Sequence, residues 1–384
     1  MYRWTQMLAA AAVVVAAGLV AATGLAGCGD EDDTPTVVIV SPHPADVEKE
    51  FERAFKDWYA REHGGEVDVE WRDMGGGSSI LETLRRTYDR SDTTDIDILW
   101  GSGSANHVRL AAQGLLTPAK LSEETLEHIP ATFSGVPMYD PKLRWVGTVV
   151  SGFGFLYNRT LLAGMGGLAP PKTWDDLGAP RFHGLVALAD PTKSSSAASA
   201  YEMIVQSGDD WPGGWAKLLS ILGNAKKFYD GASGAANAVI SEAPVATCID
   251  FYGAQRERQH PNLTYVCPRG QTAFTPDPIA ILKNPPHPEL AQAFVQFVLS
   301  KEGQALWALP AGAEGGPTRK PLFRTPIRTD VFTAYQGKLL PGISLPFVAA
   351  NEMGYDEQMH EKRTDVLKKL VRAAAVDNAD ALKR

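Results

Sequence analysis

The sequence contains few cysteines, no familiar catalytic signature and no excess of positive charge. Only three cysteines occur among 384 residues, which excludes the dense disulfide frameworks of small secreted domains. The motifs GxSxG, HExxH and CxxC are all missing, and Ser, His and Asp occur at no diagnostic spacing, so the sequence disfavours a hydrolase. A formal net charge of −8 disfavours a nucleic-acid partner. We therefore expect a protein that is not an enzyme and binds no nucleic acid.

The bulk composition is that of a folded soluble protein. Hydrophobic residues make up 44% and charged residues 21% of the chain, which is ordinary for globular domains. A length of 384 residues is too great for one small core and suits two lobes. The negative net charge still permits an anionic ligand, because a local site can oppose the sign of the whole protein.

The N-terminal residues have the pattern of a targeting segment. Arg3 gives a short positive start, residues 7–20 are apolar, and Leu25-Ala26-Gly27-Cys28 matches a lipobox. We expect residues 1–27 to be a signal peptide and Cys28 to be lipidated, with residues 28–35 as an acidic tether. The alternative is a membrane-spanning anchor, since the apolar run is nearly long enough. The predicted location is the periplasm or the outer face of the cell membrane, with a lipid anchor.

Cys248 and Cys267 leave the question of a disulfide open. Both lie in strand-like runs, residues 244–249 and 263–268, which are candidates for neighbours in one sheet. An oxidising compartment favours a disulfide, and two buried free thiols are an equally good interpretation. A metal site is disfavoured because no cluster of His or Cys accompanies the pair at ligand spacing.

Apolar runs that lead through short polar loops into amphipathic helices recur along the chain. Residues 36–40, 67–71 and 96–100 are strand-like, and each precedes a loop and a helix. Repeated strand–loop–helix units predict an α/β fold with mostly parallel sheets flanked by helices. Ligands of such folds bind in the loops at the carboxyl ends of the strands.

The three loops after these strands carry hydroxyl-bearing residues and glycines. Glycines let the backbone approach a ligand, and the free N–H groups at a helix N-terminus attract an anion. The alternative, without a functional role, is that these loops are surface turns with ordinary helix caps. We favour one wall of a ligand cleft, for which the candidate residues are His43, Gly77, Ser78, Ser79, Ser102 and Ser104.

The opposite wall is predicted from the second half of the chain. Residues 184–188 are strand-like and lead into a loop where Lys193 precedes three serines at a helix start, the best anion site in the sequence. A glycine-rich loop follows at residues 230–236, and a further strand ends at Asp250, which is suited to pair with a ligand amine or hydroxyl. The candidate residues of this wall are Ser194, Ser195, Ser196, Ser233, Asp250 and Tyr252.

Residues 274–307 carry the clearest likeness to a known family. An apolar strand-like run at residues 278–283 is followed by a proline-marked turn, a helix over residues 289–299, and the phrase Ser300-Lys301-Glu302-Gly303-Gln304. This segment resembles the returning crossover of periplasmic substrate-binding proteins of ABC transporters, in the branch that binds ferric iron, polyamines, phosphonates and phosphosugars. Residues 145–157, followed by Asn158, resemble the outbound crossover.

The resemblance implies a two-lobed periplasmic-binding-protein fold with two crossover strands as its hinge. The boundaries we expect are residues 36–147 and 279–312 for lobe 1, 148–278 for lobe 2, and 313–384 for a C-terminal helical region that packs on the lobes. It also implies a monomer that captures a solute between the lobes and delivers it to an ABC permease. The hydroxyl and glycine loops favour a small anionic solute, phosphorylated or a phosphonate, with no cofactor.

Ferric iron is the alternative ligand that the resemblance implies. In iron-binding relatives a histidine in the first loop and two adjacent tyrosines are ligands. Here His43 occupies that loop, but Phe251-Tyr252 stands where the tyrosine pair is expected. One phenolate is missing, so iron, bound by His43 and Tyr252, is only an alternative. A further alternative is a sensory lipoprotein that kept the fold without transport.

Overall fold

The computed structural model describes residues 34–348 and 353–382, apart from the side chain of Ser78. The predicted signal peptide and the predicted lipidation of Cys28 therefore lie outside the described residues. Within those two ranges, no helix combines the length and the apolar character that a bilayer crossing requires.

Fourteen strands occur in the described part of the chain. They are β1 Thr36–Val40, β2 Asp68–Arg72, β3 Ile98–Trp100, β4 Leu116–Thr117, β5 Thr132–Phe133, β6 Val136–Pro137, β7 Val146–Ser151, β8 Phe153–Asn158, β9 Val186–Ala189, β10 Ala225–Tyr229, β11 Val245–Ile249, β12 Leu263–Val266, β13 Thr275–Leu282 and β14 Thr325–Pro326.

The helices surround these strands. They are α1 Ala45–His63, α2 Gly77–Tyr88, α3 Ser104–Ala112, α4 Glu123–Glu127, α5 Arg159–Gly164, α6 Trp174–Gly178, α7 Ser195–Gln206, α8 Trp211–Gly223, α9 Ala232–Ala238, α10 Asp250–Gln259, α11 Pro288–Leu299, α12 Lys301–Ala308, α13 Asp330–Ala334, α14 Glu357–Val371 and α15 Ala379–Leu382. A turn of 3-10 helix spans Pro180–Phe182, and a π-helical turn spans Arg372–Val376.

Two mixed sheets define two lobes, which confirms the predicted two-lobed α/β class. The first has the order β14-β7-β13-β3-β1-β2, with β4 paired to β13, and the second has the order β10-β9-β11-β8-β12. In each sheet the strands that lead into helices run parallel, as β1 does to β2 and β3. The crossover strands run antiparallel to them, as β13 does to β3 and β8 to β11.

The chain changes sheet at Gly152, between β7 and β8, and returns between β12 and β13. The expected boundaries at 147/148 and 278/279 fall inside β7 and β13, within the first sheet. The long apolar run at residues 145–157 therefore forms two strands. β7 belongs to the sheet of the first lobe, and β8 belongs to the sheet of the second lobe. The backbone N–H of Gly152 donates to the Asp250 carboxylate at 2.8 Å, which ties the crossover to the second lobe.

The two cysteines are free thiols. The expectation that their strands are neighbours is wrong, because β8 lies between β11 and β12. Cys248 is paired in register with Gly154 of β8, and Cys267 follows the end of β12. Burial raises the pKa of the Cys267 thiol to about 12, so this thiol is unreactive at neutral pH.

Gly154 permits the close pairing of β8 with β12, and its replacement by alanine is expected to destabilise the second lobe. An added Cβ would overlap the backbone carbonyl oxygen of Val266, and two paired strands have little room to separate. We expect a loss of about 1–3 kcal/mol or more in the free energy of unfolding, measured by chemical denaturation. Gly164→Ala is the matched control, since no atom of residues 34–348 or 353–382 lies within 4 Å of the position that its Cβ would take. Equal stability of the two variants would contradict the strand pairing described here.

Candidate functional site

A cleft with a volume of about 920 Å³ is lined by residues of both lobes. The loops after β1, β2 and β3 form one side, and the loops after β9, β10 and β11 form the other. The parallel strands of both sheets therefore end at the cleft, as ligand-binding α/β folds require.

Most of the sequence-predicted site residues meet in this cleft. Its lining includes His43, Gly77, Ser79, Ser102, Ser104, Ser194, Ser195, Ser196, Ser233 and Tyr252. The side chain of Ser78 lies outside the described part of the structure, although its backbone belongs to the first turn of α2. Asp250 is not among the lining residues. The structure thus brings the predicted loops together, and a ligand-contacting role for each residue stays a prediction.

Helices α2, α3 and α7 begin at the cleft. The N-cap positions of α2 and α3 are Gly76 and Gly103, and neither helix has a side-chain cap. In the second lobe, α7 is capped by Ser194, whose hydroxyl accepts from the N–H of Ala197. Helix N-termini present unpaired N–H donors and a positive dipole end, both of which stabilise an anion.

Ser102 adds a further donor to the first wall. Its hydroxyl is buried and has no hydrogen-bond partner among the described residues. Its backbone has a φ of 72°, a left-handed conformation that a serine adopts only at some energetic cost. An unpaired buried hydroxyl on a strained loop is the pattern of a group held for a ligand.

Asp277 and Arg324 form the charged centre of the cleft. Arg324 Nη2 lies 3.0 Å from Asp277 Oδ2, and the Arg324 side chain is 4% exposed. Burial alone would raise the pKa of Asp277, but the hydrogen bond from His43 and the charge of Arg324 outweigh burial and hold that pKa well below its usual range. The Asp277 carboxylate is therefore ionised at neutral pH.

The Arg324 guanidinium has capacity left for a ligand. Its Nε has no hydrogen-bond partner within the described part of the chain, and its Cζ lies over the Phe251 ring, 4.5 Å from the ring centroid. A cation–π contact with Phe251 helps to position the guanidinium and does not use its N–H donors. An arginine presented in this way suits a phosphate or carboxylate, which it can bind through two parallel hydrogen bonds.

His43 is positioned by partners on both ring nitrogens. Nδ1 lies 2.9 Å from Ser41 Oγ, and Nε2 lies 3.2 Å from Asp277 Oδ2. A metal ion at His43 would have to displace one of these partners. At Tyr252, burial is the main cause that raises the pKa, and this opposes the phenolate that ferric iron requires.

Carboxylates and histidines at metal-ligand distance occur elsewhere among the described residues. Glu124, His128 and Asp330 offer ligand atoms within 4.8 Å of one another, and none of them lines the cleft. Both carboxylates already contact Arg328, at 2.6 Å and 2.9 Å, so the cluster is accounted for as ion pairs.

Asp250 has partners within the chain instead of a ligand group. Its carboxylate accepts from the N–H groups of Gly152 and Phe251, at 2.8 Å and 2.7 Å. Burial raises the pKa of Asp250 to about 6, against the lowering effect of the Gly152 N–H and of Arg324. The carboxylate therefore holds the crossover and the start of α10.

The C-terminal segment forms a third wall that the sequence reasoning missed. Tyr355, Glu357, His360 and Lys368 line the cleft from α14 and the turn before it. This segment is attached to both lobes: Ser104 Oγ donates to Glu357 Oε1 at 2.6 Å in the first lobe, and Arg363 forms an ion pair with the buried Glu202 in the second. The sequence predicted only a C-terminal helical region, residues 313–384, that packs on the lobes, and it gave no sign of a cleft wall.

Arg324 and Asp277 were also missed. Asp277 is the one charged residue of strand β13 and stands between two prolines. A charge within this largely apolar strand is the one sequence signal that could have identified Asp277 as a site residue. Arg324 lies in the loop immediately before β14. The sequence around it has no helical or strand periodicity, so no local pattern identified it as a site residue.

His360 is expected to make folding stability sensitive to mild acid. Burial lowers its pKa to about 4, with Glu202 opposing and Lys368 and Arg363 adding to the shift. Between pH 6.5 and about 4 the unfolded chain binds a proton that the folded protein excludes, so stability falls as the pH falls through this window. The loss is at most about 1.4 kcal/mol per pH unit.

Replacing His360 by glutamine should flatten this dependence. Urea unfolding of wild type and His360→Gln at pH 7 and pH 4.5 measures the difference, and the other titrating groups are common to both proteins. Parallel pH profiles for the two proteins would contradict the assignment to His360.

Comparison with known proteins relates the chain to bacterial binding proteins. The profile of a family described as bacterial extracellular solute-binding protein matches residues 51–330, more than half of the chain. The phosphoglycerate transport regulatory protein PgtC of Salmonella typhimurium is 31% identical over 240 residues, which cover 60% of this chain. The match spans 58% of the PgtC sequence, so the chain covers a little over half of that relative.

Solved structures share the fold. A periplasmic binding protein AfuA from Actinobacillus pleuropneumoniae, with exogenous fructose-6-phosphate bound, has a TM-score of 0.69 at 17% identity, covering 89% of this chain and 98% of its own. Iron-bound HitA from Pseudomonas aeruginosa has a TM-score of 0.65 at 20% identity, covering 88% of this chain and 99% of its own. Identities this low establish the architecture alone.

Proposed function

The chain belongs to the bacterial extracellular solute-binding protein family, and from this premise we propose that it captures a small anionic solute, phosphorylated or a phosphonate, in its cleft. Closure of the two lobes about the crossover strands buries the ligand. The closed protein delivers it to an ABC permease in the membrane. We expect the mature chain to act outside the cytoplasmic membrane as a lipid-anchored monomer, without catalysis.

The observation that carries the anionic ligand is the convergence of donors on one cleft. The N-termini of α2, α3 and α7 lie at its lining. Arg324, the ion-pair partner of Asp277, contributes a guanidinium whose Nε has no hydrogen-bond partner in the described ranges. Helix N-termini and a stacked arginine are the groups by which proteins bind phosphate. These donors can stabilise an anion although the net charge of the chain is −8.

Two of the similar proteins are named with phosphorylated compounds, whereas HitA was solved with iron bound. PgtC is named as a phosphoglycerate transport regulatory protein, and AfuA was solved with fructose-6-phosphate. Both compounds are small phosphorylated organic anions. We therefore propose this chemical class as the ligand of the chain, and experiment must identify the individual solute.

A role in sensing is a second candidate, because the PgtC relative is named as a regulatory protein. In this case the closed, ligand-bound form would contact a membrane sensor instead of a permease. A ligand response that persists after deletion of the permease would favour sensing, and loss of uptake after deletion of this protein would favour transport.

Thermal unfolding of residues 29–384 against a panel of ligands tests the proposal. The panel contains a phosphosugar, a phosphonate, inorganic phosphate and ferric citrate. A ligand at a thousand times its dissociation constant adds about 4 kcal/mol to stability, which raises the melting temperature by several degrees. A shift with an organophosphate or phosphonate supports the proposal, whereas a shift with ferric citrate alone replaces it with the iron alternative.

A further inference from the structure

The C-terminal wall of the cleft contains three polar atoms that are buried and unpaired. They are the Tyr355 hydroxyl, Glu357 Oε2 and His360 Nδ1, none of which has a hydrogen-bond partner among the described residues. Tyr355 is 4% exposed and His360 is 6% exposed, and all three residues line the cleft. Buried polar groups are rarely left unpaired in folded proteins, and three in one wall call for a partner that is not part of the fold.

The position of this wall is fixed by the fold. Ser104 Oγ donates to Glu357 Oε1 at 2.6 Å, which orients the carboxylate, and Oε2 has no hydrogen-bond partner among the described residues. Gln206 exchanges two hydrogen bonds with the Asp356 backbone, at 2.7 Å and 3.0 Å. The turn that carries these residues is therefore held from both lobes.

The wall adjoins the charged centre. Gly103, the residue before Ser104, donates its N–H to Asp277 Oδ1 at 3.3 Å, and Asp277 holds Arg324. A ligand whose anionic group lies at Arg324 and the helix N-termini can therefore place its other end against residues 355–360.

We propose that Tyr355, Glu357 and His360 form a subsite for the hydroxyl groups of a phosphorylated polyol or sugar, and this inference rests on the proposed function. A hydroxyl both donates and accepts, so it can donate to the Glu357 carboxylate and accept from the Tyr355 hydroxyl. The imidazole of His360 is neutral at pH 7, because burial lowers its pKa to about 4, and a neutral imidazole pairs with a hydroxyl in either sense. A second anionic group would meet the carboxylate of Glu357, whereas a hydroxyl can donate to it.

Two conservative variants test the subsite. Tyr355→Phe removes only the hydroxyl, and Glu357→Gln replaces the carboxylate with a group of the same shape. Glu361→Gln is the matched control, because Glu361 lies one turn further along α14 and outside the cleft lining. Calorimetric titration with fructose 6-phosphate and glycerol 3-phosphate is compared with propyl phosphate, a phosphate ester without hydroxyl groups.

The expected result is a difference between the two kinds of ester. Each cleft variant should bind the hydroxylated esters about tenfold or more weakly, which is the weight of one well-placed hydrogen bond in a buried site, and should bind propyl phosphate within twofold of wild type. Glu361→Gln should leave every affinity unchanged. The melting temperature of ligand-free Tyr355→Phe should not fall, since the Tyr355 hydroxyl has no hydrogen bond to a described residue that the substitution could remove.

The alternative results separate the subsite from the proposed function. If the variants bind hydroxylated esters as wild type does, or lose propyl phosphate to the same extent, the subsite is overturned and the anion site stands. If no phosphate ester binds wild type, the proposed function fails and the subsite fails with it.

Discussion

Replacing Arg324 by glutamine is expected to abolish binding of a phosphorylated ligand, with a loss of affinity of at least about a hundredfold. The substitution removes the buried positive charge that we assign to the anion. It also leaves the Asp277 carboxylate without its 3.0 Å partner. Removing one member of a buried ion pair costs about 3–5 kcal/mol, so the variant should also unfold at a lower denaturant concentration.

A double variant separates the two effects. Asp277→Asn combined with Arg324→Gln leaves no unpaired charge, so it should recover most of the stability that the single variant loses. It should not recover binding, because the guanidinium is still missing. Calorimetric titration and urea unfolding of the three proteins measure both quantities. Wild-type affinity in either variant would remove Arg324 from the ligand site.

Replacing Ser195 by phenylalanine is expected to abolish binding without unfolding the protein. Ser195 is the first residue of α7, it is exposed, and it lines the cleft. A large ring at this position would fill the space at the helix N-terminus and cover its N–H donors. Because the serine side chain is exposed, the folded core loses nothing, and stability should change by less than about 0.5 kcal/mol.

Ser241→Phe is the matched control for this prediction. Ser241 is an exposed serine in a turn outside the cleft lining, so the same substitution there should leave binding intact. The measurement is a titration of both variants with the phosphorylated ligand that the thermal panel identifies. Retained affinity in Ser195→Phe would remove this loop from the site.

Local sequence patterns predicted the elements that depend on near neighbours. The apolar run TVVIV is β1, and the periodic helix expected over residues 289–299 is α11 Pro288–Leu299. Both patterns work because burial and periodicity are set within a few residues of each other. Local patterns could not predict the strand order of the second sheet. β8 enters this sheet from the other lobe and pairs between β11 and β12, and that placement depends on residues far apart in the sequence.

The candidate site shows the same contrast between features that local sequence patterns predict and features that depend on long-range contacts. Loops at strand ends are identifiable locally, and most of the predicted residues lie in the cleft. Arg324 and Asp277 are 47 residues apart, and Ser104 and Glu357 are 253 apart. Contacts between residues so far apart in the sequence depend on how the C-terminal segment crosses the lobes. The spacing of residues in a single sequence does not predict such contacts.

The most direct test of the account is a calorimetric comparison of two matched pairs of solutes: fructose 6-phosphate against fructose, and phosphoglycerate against glycerate. The account predicts saturable binding of at least one phosphorylated member, with its unphosphorylated partner bound at least a hundredfold more weakly, because the helix N-termini and Arg324 recognise the phosphate. Equal affinity for both members of a pair, or binding of ferric citrate alone, would contradict it.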